Sequence, residues 1–188
     1  MLLWDLDNVF SKTNFALTDP SDGINYRLQT NAPFLRAYWR GVKDAVNGPL
    51  QSSNYTAVLD GHYSALNGNG IAVRTPTEAA STNTLSLVAW LEGRRIYLSN
   101  QLNTVAAPFS ITNGTTSTQS NIVLGGRAPV EIAYIRISGR ATNELVSWNT
   151  VTNWSYPYTL VNGANPITNV GLDRLSNPVA TNGIVITK

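Results

Sequence analysis

No cysteine occurs in the sequence. That excludes disulfides and thiolate metal sites, and it leaves the redox compartment unmarked. Charge is also scarce: Asp, Glu, Lys and Arg make up 13% of the chain, about half the usual share. The surface must therefore be covered by Asn, Ser, Thr, Gly and backbone. No Lys/Arg run exists, so the net charge of +2 and the sequence pI near 9.0 predict no nucleic-acid partner. No window holds about 18 uncharged apolar residues, so no membrane span is expected. The opening "MLLWDLDNVF" has no basic n-region, and Asp5 and Asp7 interrupt its apolar run. It does not read as a signal peptide.

What the chain has in quantity is strand signal. The pieces "TAVLDGHYSAL", "NGIAVRT", "TLSLVAWLE", "RRIYLSNQL", "FSITNG", "NIVLGG" and "EIAYIRISG" are short and rich in β-branched or aromatic residues. Gly, Asn or Pro bounds each of them. Their spacing predicts a sandwich or barrel, and a chain of 188 residues is long enough to bury a sizeable core. The segments "RAYWRGVKDAV" and "TNELVSWNT" read as a turn or two of helix. In "SLVAWLEGRRIYLSNQL", Leu85, Leu87, Ala89 and Leu91 alternate with Ser86, Val88, Trp90 and Glu92. The spacing predicts a hairpin with strands at about 84–91 and 95–101 and a tight turn at Glu92-Gly93.

This hairpin, with "NIVLGGR" (Asn121 to Arg127) and "EIAYIRISGRATNELVSWNT" (Glu131 to Thr150), resembles the laminin-G-like, or concanavalin A-like, family. Arg136, Ile137, Arg140, Ala141 and Glu144 fall in the register of the closing strand of that family. Two positions depart from the pattern: Ser99-Asn100 follows the Tyr strand, and Ala133 stands at an acidic position. The resemblance covers residues 55–150 and implies an all-β antiparallel jelly-roll sandwich. The expected organisation is that sandwich over residues 1–150. An extended C-terminal arm over 151–188 would then close in a short strand at Ile184–Ile186.

Catalytic chemistry finds few carriers. His62 lies in "LDGHYS" between Asp60 and Ser64, but neighbours at that spacing rarely converge as a triad. Glu78, Glu92, Glu131 and Glu144 are scattered singly, without the paired carboxylates of a glycosidase. Asp5 and Asp7 would share a strand face and could join a calcium site, yet no third acidic ligand lies close. "NGNGIAVRT" and "LGGRAP" lack the Lys-Ser/Thr ending of a phosphate loop. No catalytic residue, no metal site and no cofactor is assigned, and the protein is not expected to be an enzyme.

Aromatic residues are the remaining candidates. Trp154, Tyr156 and Tyr158 alternate in "NWSYPY", and Trp39 sits in "RAYWRG". These four are the candidate ligand- or partner-binding residues, against the plainer possibility that the rings seal the end of a sandwich. The arm keeps Leu160, Ile167, Val170, Leu172 and Leu175 beside Pro157, Pro166 and Pro178. It is too apolar for a disordered tail. The function expected is that of a non-catalytic structural or attachment protein of a virion or other surface assembly. Its partners would be copies of itself or other virion proteins. A carbohydrate-binding, lectin-like module is the alternative, with glycans as partners.

Overall fold

The computed structural model describes residues 12–17, 23–79, 84–137 and 146–188. Among them the chain runs α1 (Gly23–Thr30), α2 (Ala32–Asn47), α3 (Ser52–Gly68), α4 (Leu87–Thr104), β1 (Ser110–Ile111), β2 (Asn121–Arg127), β3 (Tyr134–Ile137), β4 (Ser147–Trp148), β5 (Asn153–Thr159), β6 (Ala164–Leu172) and β7 (Pro178–Thr187). Two compact units result. One holds residues 41–103 with the preceding segment 12–17; the other holds 104–188 with 23–40.

In the second unit the strands form two antiparallel sheets, β1-β2-β5-β4 and β3-β6-β7. That order is the arrangement of an immunoglobulin constant-type sandwich. Both sheets alternate inward and outward residues. Leu124 of β2, Ile135 and Ile137 of β3, Trp154 of β5, Ile167 of β6 and Ile186 of β7 meet in one buried core with Ala128, Ile132 and Leu160. Burying side chains of this size stabilises the unit by about 1.5–3 kcal/mol each.

Residues 112–117 link the open edges of the two sheets. Near β1 the chain pairs with β2, and Asn113 reinforces that pairing by donating to the Val123 carbonyl (2.9 Å) and accepting from the Gly125 amide (2.7 Å). Further on it turns to β7. Thr116 bridges Thr187 in parallel, Ser117 donates to the Thr187 carbonyl and Thr187 to that of Thr115, both at 2.9 Å.

The expected hairpin at 84–101 is not there: the segment is α4. Its composition explains the outcome. Half of its 18 residues are Leu, Ala, Glu, Arg or Gln, and these favour helix. Ser86 caps the start, its hydroxyl accepting from the Ala89 amide at 3.1 Å, as an N-cap does. Glu92 and Arg95, one turn apart, make two hydrogen bonds at 2.9 and 2.6 Å. Gly93 makes no turn. It lets residues 12–15 lie against the helix, since a Cβ there would stand 2.6 Å from the Thr13 methyl. Likewise "TAVLDGHYSAL" belongs to α3; "RAYWRGVKDAV", expected as a turn or two of helix, lies within the 16-residue α2, and the end of "TNELVSWNT", expected to be helical too, carries β4. Arg140, Ala141 and Glu144 lie outside the described residues.

Residues 151–188, read from the sequence as an arm, supply β5, β6 and β7. The three prolines sit where a strand loses nothing by lacking an N–H. Pro157 pairs with Val123 on one side, but β4 reaches only Trp154 and Ser155 on the other. Pro166 pairs with Val185, while β3 reaches only residues 169–172 of β6. Pro178 opens β7.

Candidate functional site

The four candidate aromatics are placed by the period of their elements. Trp154, Tyr156 and Tyr158 share the inward side of β5. Trp154 is 1% exposed, and the two tyrosines pack half-buried against the core. Trp39, on α2, is buried, with its ring edge-on to Tyr38 at 6.1 Å between centroids. The rings of Trp154 and Trp39 therefore present no open platform. Asp60, His62 and Ser64 lie exposed along α3. Residues two apart on a helix point to nearly opposite sides, so no triad forms. Asp5 and Asp7 fall outside the described residues. Among those described, no three His, Asp or Glu side chains gather where a metal ion could sit.

A residue that the sequence did not single out makes the densest set of polar contacts in the sandwich unit. Arg36, on α2, is 1% exposed. Its Nη1 donates to the Ala128 carbonyl at 3.2 Å and to that of Val151, and Nη2 donates to Pro129 and, at 2.7 Å, to Ile132. The guanidinium lies 3.5 Å from the centre of the Trp148 ring, a cation–π contact strengthened by burial. One turn later Arg40 Nε donates to the Val130 carbonyl at 3.0 Å. Burial pushes the Arg36 guanidinium down to about 9, Arg40 adds to the shift and Glu131 opposes it. This cluster is an anchor that holds the start of α2 on the β2–β3 connection and the β4–β5 turn. The only sequence signal is that Arg36, Trp39 and Arg40 share one helical face, a pattern easily taken for a solvated stripe.

The helical unit contains an open groove of about 300 Å³, at the lower end of ligand-pocket sizes. Leu59 and Leu66 of α3, Val73 and Pro76 of the α3–α4 connection, and Leu85 and Leu87 make its apolar lining; His62, Tyr63, Arg74 and Glu78 bring polar groups to it. The connection is held by its own hydrogen bonds. Arg74 Nη1 donates to the Ala79 carbonyl at 2.7 Å, and the Val88 amide to that of Pro76 at 3.1 Å. Two residues weighed as catalytic from the sequence, His62 and Glu78, both line this groove among aliphatic side chains. Among its described residues the unit exposes Phe15, Val58, Leu66, Ile71, Val73, Leu85 and Ile96, and buries the apolar side chains of Val42, Val46, Tyr55 and Leu98. No described helix is long and apolar enough to cross a membrane.

No family model matches the chain, and no curated protein matches it. Among solved structures, it is similar to the fibronectin(III)-like modules of Clostridium thermocellum CbhA. The identity is 11%, with a TM-score of 0.33, over 43% of this chain and 94% of that one.

Proposed function

We propose that the protein is a non-catalytic structural or attachment protein of a virion or other surface assembly, and that its helical unit meets further copies of the same chain. The observation that supports this reading is the balance of apolar side chains in that unit. Leu98 is the one described residue of α4 that is buried, although the helix is 18 residues long. Ile96 is 49% and Val58 57% exposed. On this unit the groove lined by Leu59, Leu66, Val73, Pro76, Leu85 and Leu87 leaves apolar surface open, and an open apolar patch of this kind marks an interface. The sandwich unit is the scaffold, and a scaffold of this kind serves many roles without carrying catalytic groups. The resemblance to the jelly-roll family loses its hairpin, since Leu87–Thr104 is helix, and is left resting on "NIVLGGR" and "EIAYIRISGRATNELVSWNT".

Sedimentation velocity tests the proposal. The wild-type chain is expected to form a defined homo-oligomer at micromolar concentration, and Leu66→Glu with Ile71→Glu is expected to give a folded monomer. A monomeric wild type would refute it. If that monomer bound on a glycan array, the lectin-like alternative would take its place.

A further inference from the structure

Asn169 lies on β6 in the middle of the sandwich, 0% exposed, and neither its Nδ2 nor its Oδ1 has a hydrogen-bond partner. Asn165, two pleat repeats earlier on the same inward face, shows how a buried asparagine is ordinarily accommodated. Its Oδ1 accepts from the Val161 amide, and its Nδ2 donates to the carbonyls of Val161, Gly163 and Ile186, all at 2.9–3.1 Å. A second buried donor, the indole Nε1 of Trp154, is also unpartnered.

The strand registers bring these two groups to one layer of the core. On one sheet Ile111, Gly126 and Trp154 stand side by side. The Trp154 ring lies across Gly126, where a Cβ would meet its Cε2 at 2.5 Å. On the other sheet Ile137, Asn169 and Asn182 stand side by side. Asn182 joins the two rows, its Oδ1 accepting from the Ile111 amide at 2.9 Å. Directly paired residues on an antiparallel ladder share a face, so Asn169 and Asn182 point together toward the row that carries Trp154.

We infer that this layer is an internal water-binding site that ties the two sheets together. A water there accepts from the Trp154 indole N–H and donates to Asn169 Oδ1, and Asn169 Nδ2 donates to a second. Buried waters take two to four such bonds from groups that lack other partners, and native buried polar groups are rarely left without one. Gly126 contributes by its missing side chain, because any Cβ would displace the indole edge that carries the donor.

Water–protein ROE spectroscopy on the 15N-labelled full chain tests this, with Trp154→Phe assigning the indole signal. Dipolar cross-peaks from Trp154 Hε1 and Asn169 Hδ2 to the water line are expected. Their absence, or a direct Trp154–Asn169 hydrogen bond in a high-resolution crystal structure, would overturn the inference. Asn169→Leu gives a second reading. It removes the water's acceptor and strands the indole, so the urea midpoint is expected to fall and the Trp154 cross-peak to vanish. An unchanged or raised midpoint, as follows when a merely unsatisfied amide is replaced by an aliphatic group, would count against the site. Should that variant fail to fold, the wild-type spectrum decides alone.

Discussion

Arg36→Met removes the guanidinium while keeping most of the stem. Four carbonyls lose this donor, Ala128, Pro129, Ile132 and Val151, of which Pro129 keeps the Ile132 amide at 3.2 Å. The Ala128 and Ile132 bonds are buried, whereas those to Pro129 and Val151 are partly so and can recover water. Each buried acceptor left alone costs about 1–3 kcal/mol, which puts the two together at about 2–6. Loss of the stack on Trp148 adds about 1–2 kcal/mol. Against these stands relief from burying a charge, the effect that pushes the guanidinium down to about 9. The net expectation is a loss of about 3 kcal/mol, or a fall of about 6–12 °C in Tm for a chain of this size. Urea unfolding at pH 7 with an unchanged m-value measures it. Arg36→Lys should recover less than half, because an ammonium lacks the planar fork and the ring stack. Stability equal to wild type in Arg36→Met would refute the reasoning and show that those carbonyls are hydrated.

Three further outcomes follow from the same structure. Ending the chain at Thr150 removes β5, β6 and β7, and the sandwich unit should lose its near-UV dichroism and its dispersed β-region amide signals; retained dispersion would contradict the strand order. Gly93→Val drives a side chain into Thr13 and should cost about 1–3 kcal/mol, with faster hydrogen exchange at the Trp90 indole, which now donates to the Lys12 carbonyl at 2.8 Å. Asp173 is held below the ordinary carboxyl value, first by the Asn177 side-chain amide and then by the Asn177 backbone N–H. Its folded pKa is therefore depressed, so its contribution is present above the unfolded value near ~3.9 and is lost as pH falls through the folded value. In a carboxyl 13C titration, Asn177→Ala should raise that midpoint, and an unmoved midpoint would sink the assignment.

Much of the sandwich was legible because its strands alternate cleanly. "NIVLGG" and "EIAYIRISG" each contain a strand, and "RAYWRGVKDAV" is a helix. The failures have specific causes. Between Leu85 and Leu91, apolar residues at every second position fit a strand, and also fit a helix whose sides are both apolar. The informative residues there were Ser86 as a cap and the Glu92–Arg95 pair. Gly93 suggested a turn, yet its small size serves a close approach that only the folded chain reveals. Pro157 and Pro166 argued against interior strands because a sequence does not show where a neighbouring strand stops. Arg36 looked like any helical arginine, since the carbonyls that surround it lie more than ninety residues away. Trp154 read as a ligand- or partner-binding candidate, yet its ring is buried in the core, because alternation alone does not say which side of β5 faces inward.

The parallel contact between Thr116 and Thr187 has a mechanical meaning. Tension applied at Phe109 and Lys188 pulls the first and last strands of the sandwich past each other along their length. The bonds of Ser117 and Thr187 to their partners, and that of Ile111 to Asn182, are then loaded together in shear. An antiparallel pair pulled from one end would release such bonds singly, like a zip. Such a load would fall on residues 115–117, the short segment after β1 where the chain turns to β7.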